Sequence, residues 1–316
     1  MRRTPFLLAA VLVLGLVAVP GLPWRAAGKA RQDASTVPVT TVVTVLGPNF
    51  SAPPTIAKQD VNVYSGRTRQ DVVSWEPATG DKAGLQLAIL IDNADSPDAL
   101  GTHFAEFKNF INSQAETTQV GLYYAVAGSA EAVAPFSKNH EEAAQKLRLP
   151  LGRFAGDSPS VYLSLQDLIS HWPSNDMRHE VVVFASGVDR LDPGLDSPYV
   201  DQAVDKVQKS GTIVFTIYTG GPRLENASFR QDIAWQNLAK ISAGSGGQDF
   251  FQGFETPVNF VPIFKQLNTA LQNQYLLTFN ARRSENKKGE MRRIEIRTEQ
   301  RNVKLSYSSE VFVAGP

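Results

Sequence analysis

The sequence predicts an α/β fold with a doubly wound, mostly parallel sheet at its centre. Three apolar runs end in polar or glycine residues, at 85–92, 179–185 and 212–218. Such runs are typical of strands that are buried on both faces, as in a parallel sheet. Amphipathic segments separate the runs, and strands that alternate with helices indicate parallel pairing through crossover helices. We therefore expect a Rossmann-like order of strands and helices.

The spacing of apolar residues predicts the helices and the edge strand of the sheet. Phe104, Phe107, Phe110 and Ile111 recur at helical intervals and predict one apolar helix face. Further helices are predicted at 141–147, 160–171, 200–207, 231–241 and 260–272. The apolar run 119–126 is followed by an Ala-Gly-Ser turn and a second run at 132–136, which predicts a hairpin with an antiparallel edge strand.

Small β regions flank the α/β part. β-branched residues are dense at 37–46, and shorter alternating runs occur at 61–64 and 70–75. The C-terminal part returns to this pattern at 275–280 and 291–298. We predict a β-rich region at 31–83, the α/β domain at 84–273, and C-terminal strands at 274–316 that pack with the N-terminal β region.

The first 30 residues have the layout of a secretory signal peptide. Arg2 and Arg3 precede an uninterrupted apolar stretch at 6–19, and Pro20 and Gly21 break it before several alanines. The apolar stretch is short for a membrane span. We predict that residues 1–30 direct export to a periplasmic or extracellular location, with an uncleaved membrane anchor as the alternative.

Composition excludes several classes of function. The chain has no cysteine, so it forms no disulfide, thiolate nucleophile or cysteine-based metal site. Its 31 Lys and Arg residues balance 31 Asp and Glu residues, and this balance argues against nucleic acid as a partner. The four histidines include no pair at i,i+4 spacing, so a histidine-rich metal site is not expected.

The chain resembles the von Willebrand factor A-type (VWFA) domain. The segments ILIDNADS, SVYLSLQDLI, EVVVFASGVD, GTIVFTIYTG and YLLTF occur in the order of that family. The layout with a signal peptide and flanking strands is similar to the exported VWFA-related proteins of acidobacteria. This resemblance implies a protein-interaction module with a divalent-cation site, the metal-ion-dependent adhesion site, at the carboxyl ends of its strands.

The resemblance carries over to only part of that metal site. The family pattern is D-x-S-x-S in the first loop, a Thr in the second and an Asp in the third. Asp92, Ser96 and Ser160 match the first Asp, the second Ser and the Thr position, where Ser160 keeps the hydroxyl. Ala94 and Ser186 depart from the first Ser and from the third-loop Asp. The resemblance therefore implies a degenerate site.

We expect this site to be vacant at physiological concentrations. Mg²⁺ dehydrates reluctantly and needs an octahedral set of oxygen ligands. One carboxylate remains of the two in the pattern, unless Asp95 or Asp189 moves in. No cofactor is expected, and weak Mg²⁺ binding through the matching residues is the alternative.

The predicted function is noncatalytic interaction with an unidentified protein or envelope-surface partner. A secreted hydrolase is a competing hypothesis, since Ser245 lies in Ala-Gly-Ser-Gly-Gly, similar to a nucleophile elbow. That run follows a predicted helix and precedes a strand, so it indicates a helix C-cap and loop. A small-solute-binding protein and a structural role in the envelope are also compatible with the sequence. Contact with a membrane is expected only if the signal is retained.

Overall fold

The computed structural model describes residues 35–152, 160–189, 191–192, 197–220 and 227–316. The predicted signal peptide at 1–30 lies outside these residues. Within them, Ser35–Pro316 form one compact unit. No helix in the described ranges combines the length and the apolar character that crossing a bilayer requires.

Fourteen strands and seven α-helices make up the described part. The strands are β1 Thr36–Leu46, β2 Val61–Ser65, β3 Thr68–Pro77, β4 Leu85–Asp92, β5 Thr118–Val126, β6 Ser129–Ser137, β7 Arg178–Ala185, β8 Ile213–Tyr218, β9 Asp249–Phe250, β10 Gln274–Arg282, β11 Glu290–Arg293, β12 Glu295–Thr298, β13 Lys304–Tyr307 and β14 Glu310–Val313. The helices are α1 Asp98–Gly101, α2 Phe104–Asn112, α3 His140–Gln145, α4 Val161–Ser170, α5 Pro198–Ser210, α6 Ala227–Ser245 and α7 Val261–Gln272.

The central sheet has six strands in the order β6-β5-β4-β7-β8-β9. β4 pairs in parallel with β5 and β7, β8 pairs in parallel with β7 and β9, and β6 runs antiparallel to β5 at the edge. All eight residues of β4 are buried, as its uninterrupted apolar sequence predicts for a central strand. The predicted mixed α/β architecture is confirmed.

Each face of this sheet packs against helices. Side chains of a strand alternate between faces, so Ile89 and Ile91 face α2 and α7, whereas Leu90 faces α4 and α5. Phe107 and Phe264 meet edge to face with ring centroids 5.1 Å apart on the first side. Each fully buried large apolar side chain of this kind stabilises the fold by roughly 1.5–3 kcal/mol.

The terminal strands form a second, antiparallel layer that closes on itself. Six strands pair in the order β12-β2-β3-β10-β1-β13, and β11 pairs with β14. Because β11 runs into β12 and β13 into β14, these pairings complete a ring of strands. The Tyr307 hydroxyl on β13 joins the two outer strands of the six by accepting from Ile296 N (2.9 Å) on β12. Val43, Leu277 and Phe279 are among the side chains buried inside.

A buried polar network joins the strand ring to the central sheet. Gln274 on β10 donates to Glu180 Oε2 (3.1 Å) on β7 and to Thr44 Oγ1 (3.3 Å) on β1. Arg178 donates to Glu180 Oε1 (3.2 Å) and to the Gln274 side chain. Burial raises the pKa of Glu180, and the neighbouring Arg178 charge opposes that increase. The network fixes the amino-terminal end of the sheet against the ring.

Candidate functional site

Asp95 ties together the carboxyl ends of three central strands. It follows β4, and its Oδ2 accepts hydrogen bonds from Ser186 N (2.9 Å), after β7, and from Thr219 Oγ1 (2.6 Å), after β8. All three residues are buried. Hydrogen bonds to a charged acceptor each contribute about 1.5–3 kcal/mol, so this carboxylate holds the strand ends in register.

Asp92 closes the turn that follows β4. Its Oδ1 accepts from Ala94 N (2.9 Å), and both residues are buried. Ser96, two residues beyond the turn, is exposed, and its hydroxyl accepts from Asp98 N (3.3 Å) at the start of α1. The structure thus places the predicted Asp92 among the buried strand ends and the predicted Ser96 at the solvent-facing helix start.

Ser160 and Asp189 form a second buried pair. Ser160 precedes α4, and its Oγ makes no hydrogen bond of normal geometry, although it lies close enough to the Asp189 carboxyl to lower the pKa of that group. Asp189 accepts from Leu191 N (3.0 Å), Asp192 N (3.3 Å) and Ser197 Oγ (3.2 Å). Burial outweighs these bonds and raises the pKa of Asp189.

Tyr162 lies close to the carboxylates of both Asp92 and Asp189. Its hydroxyl donates to Gly187 O (2.6 Å). Burial raises the pKa of Tyr162, and the charges of Asp189 and, to a smaller extent, Asp92 raise it further. Gly187 has φ 71°, and a Cβ there would lie 2.6 Å from Ala234 O, so the turn after β7 needs glycine. Asp92 and Asp189 therefore act on the same buried hydroxyl.

These residues do not provide a ligand set that suits Mg²⁺. Ala94 has no side-chain oxygen, Ser186 has a hydroxyl where the pattern has a carboxylate, and Asp189 accepts from the N–H groups of its own turn. No three His, Asp or Glu side chains in the described ranges are grouped to hold a metal ion. An octahedral Mg²⁺ site would need more free anionic oxygens than this arrangement offers.

The sequence pattern indicates where the strands end but does not reveal the Asp95 hydrogen bonds that connect those ends. It marks Asp95 only as an acid near the motif, and it gives no role to Thr219 or to the Ser186 backbone. The one signal is position, since Thr219 is a hydroxyl residue directly after the apolar run of β8. Acids and hydroxyls that follow adjacent parallel strands meet at one edge of the sheet.

A loop beside these strand ends is held rigidly. Asn93 Oδ1 accepts from Arg148 Nη1 (2.7 Å) and Leu151 N (3.3 Å), and Asn93 O accepts from Gly152 N (3.0 Å). The Arg148 guanidinium lies 3.8 Å from the centre of the Tyr124 ring. These contacts order the backbone at 148–152, so its outward side chains are presented in a fixed arrangement.

Most of the exposed large apolar side chains in the described ranges lie at this carboxyl edge. We call this surface the loop face. It comprises Leu149, Leu151, Leu191, Phe229, Val258 and Val261. Val258 is 92% exposed and Leu151 58%, whereas Val73 and Phe312 are the exposed large apolar residues elsewhere in those ranges.

No protein-family model matches the chain, and no curated protein sequence matches it. Among solved structures, it is similar to an aerotolerance-related membrane protein of Bacteroides fragilis, with 14% identity, a TM-score of 0.42, and coverage of 60% of this chain and 98% of that one. BatB of Bacteroides thetaiotaomicron has 12% identity and a TM-score of 0.39, with coverage of 59% of this chain and 98% of that one. The SpRpn10 VWA domain has 13% identity and a TM-score of 0.40, with coverage of 57% of this chain and 93% of that one.

The buried Asp189 predicts a pH-dependent stability. Because its folded pKa is raised, the folded state binds a proton more tightly than the unfolded state, and stability falls as pH rises through that interval. Asp189→Asn keeps an acceptor oxygen and removes the charge. We expect the variant to gain stability over the native chain from pH 4 upward, by about 1.4 kcal/mol per pH unit of pKa elevation.

Urea unfolding between pH 4 and pH 7 measures this difference. Asp205→Asn on α5 is the matched control, because Asp205 is exposed and its removal is expected to give a constant difference. A flat difference for Asp189→Asn as well would show that the Asp189 charge is not penalised by burial.

Proposed function

We propose that the chain is an exported, noncatalytic interaction module of the VWFA type, with a degenerate metal-ion-dependent adhesion site, that binds a protein partner through its loop face. The observation that carries this proposal is the arrangement of the carboxyl edge. Exposed apolar side chains such as Leu151 and Val258 lie around strand ends whose carboxylates, Asp92 and Asp95, accept hydrogen bonds from the protein itself. An edge of this kind suits apolar contact.

Binding through this edge is proposed to need no metal ion. In a metal-dependent mode the ion would take a carboxylate from the partner, and its own ligands would have to be free. Here Asp95 bonds to Ser186 and Thr219, and releasing it would leave two buried donors unpaired. An unpaired buried donor costs about 1–3 kcal/mol. This cost opposes recruitment of Asp95 to a cation.

The surroundings of Ser245 support the noncatalytic assignment. Its buried hydroxyl accepts from Val214 N (2.9 Å) and Gly247 N (3.3 Å) and donates to Ser242 O (2.8 Å). Gly247 adjoins β8 so closely that a Cβ would lie 2.0 Å from Val214 O. A nucleophilic serine needs an accessible hydroxyl next to a general base. Ser245 instead fastens the end of α6 to β8.

Export is proposed from the first 30 residues. The mature chain would begin after the alanines at 26–30, and the intact mass of the protein purified from its own cells checks this. A mass that includes residues 1–30 would indicate the retained anchor instead.

Metal independence predicts no thermal response to divalent cations. A ligand that binds only the folded state stabilises it by about 2.7 kcal/mol at a concentration 100 times its Kd. We expect the melting temperature to be the same in Mg²⁺, Mn²⁺ and EDTA, both for the native chain and for Asp92→Ala. A rise with Mg²⁺ that Asp92→Ala abolishes would instead establish a working cation site.

The loop face predicts a specific loss of binding on substitution. The variant Leu149→Ser/Leu151→Ser/Val258→Ser removes three exposed apolar side chains and leaves the backbone contacts of Asn93 in place. We expect its affinity for the partner to fall about 30-fold, since removal of central apolar contacts costs about 2 kcal/mol or more of binding free energy. Quantitative pull-down from an envelope extract, with and without EDTA, measures the loss.

Val73→Ser is the matched control, because Val73 is equally apolar and exposed but lies on β3 of the strand ring. The control should retain every protein that the native chain captures, in EDTA as well as in Mg²⁺. If the triple variant still captured the partner, the loop face would not be the binding surface. Loss of capture in EDTA would show that a metal takes part.

A further inference from the structure

A cleft lies at the end of the central sheet opposite the loop face. It encloses about 730 Å³ between the strand ring and the amino-terminal ends of β4, β7 and β8. Its walls are β1 at 39–42, the loops at Gly84 and Met177, the end of α5 at Gly211, and β14. We call it the amino-end cleft. It shares no residue with the loop face.

One wall of the cleft is an edge of β1 that, along 37–42, pairs with no other strand of the described residues. β10 pairs along β1 as far as Thr44, but β13 covers the other edge only at 43–46. Val45 N donates to Asn273 O on the β10 side, and neighbouring residues of a strand alternate in direction. Pro38, Thr40 and Val42 therefore turn their backbone groups to the uncovered edge. Pro38 has no N–H, so Thr40 and Val42 provide the donors.

The facing wall is a second strand edge. After Tyr307 pairs with Val43, the chain bends at Ser308 and continues as β14, whose only strand partner in the described ranges is β11. The Ser308 hydroxyl donates to Gly244 O (3.1 Å) and Glu310 O (2.7 Å), which fixes the bend. The strand ring is continuous through β13 and β14, but it leaves a gap on this side between β1 and β14.

The charges around the cleft are unbalanced. Asp81, Asp176 and Glu310 line it and have no ion pair with any described residue. The three acids lie on separate elements, so they surround the opening with negative charge.

The basic residues of the cleft are already paired. Lys82 pairs with Glu76, Lys209 lies 3.9 Å from Asp205, and Arg178 is buried against Glu180. His179 stacks on the Trp172 ring, and burial lowers the pKa of His179, which favours its neutral form. The opening is therefore anionic, which favours a cationic occupant.

We propose that the amino-end cleft receives an extended, basic segment of a partner protein, which adds as a strand to the edge of β1. Six residues at 37–42 are uncovered, a length of about 20 Å at the rise of a β-strand. Main-chain bonds to Thr40 and Val42 would give the affinity, and alternate side chains would contact the exposed Phe312 and the three acids. A strand edge flanked by unpaired acids fits such a segment better than a compact small molecule.

The test uses labelled six-residue peptides with blocked ends, one alternating valine with lysine and one alternating valine with glutamate. Fluorescence anisotropy with the full chain should show the lysine peptide binding at least tenfold more tightly. Asp81→Asn/Asp176→Asn/Glu310→Gln should weaken it about tenfold, whereas the control Glu116→Gln/Glu131→Gln/Glu299→Gln, which neutralises exposed acids elsewhere, should not.

The main-chain contact is tested at Thr40. Thr40→Pro removes the edge N–H, and Thr40→Val keeps it, while both lose the hydroxyl bond to Thr278. Only the proline variant should lose binding. On the native chain, the lysine peptide should also protect the amides of Thr40 and Val42 from hydrogen exchange, which needs no variant to fold.

Three results would overturn the proposal: no saturable binding of the lysine peptide, equal binding of the glutamate peptide, or binding that leaves the amides of Thr40 and Val42 unprotected. The loop-face triple variant should bind the lysine peptide as the native chain does. The experiments therefore distinguish failure of the cleft proposal from failure of the proposed loop-face function.

Discussion

The carboxylate of Asp95 is the interaction on which the rest of the carboxyl edge depends. The strands of the central sheet lead into separate loops at their carboxyl ends. By accepting from Ser186 N and Thr219 Oγ1, Asp95 joins the ends of β4, β7 and β8. The loops that carry the exposed apolar residues are thereby built on a fixed base.

In the proposed metal-independent mode, these hydrogen bonds change the chemistry that the edge offers. An ion with an open coordination position attracts a carboxylate, whereas a surface with satisfied carboxylates and exposed leucines attracts apolar groups. Asn93 contributes to the same end, since its bonds to Arg148 and Leu151 hold the neighbouring loop. Rigid presentation reduces the entropy lost when a partner binds.

The sequence predicts the central sheet well because burial on both faces leaves a direct trace, as the apolar runs of β4, β7 and β8 show. The sequence predicts that the terminal β regions pack together but not that they close into a ring, since closure depends on local bends such as Ser308 and on pairs such as Thr40 with Thr278 that lie far apart along the chain. In the site, local pattern could not decide between Asp95 and its neighbour Ser96. That choice depends on the direction of a turn, which distant donors set.

The closed ring also has a consequence for how the protein is made. β1 emerges first from the ribosome and β13 nearly last, yet each must pair with the other to complete the ring. All strands of the central sheet are synthesised between them, so the chain already contains the whole central sheet before β13 is made. Without the residues from Lys304 onward, β1 would lose its partner β13 at 43–46 and the ring would stay open.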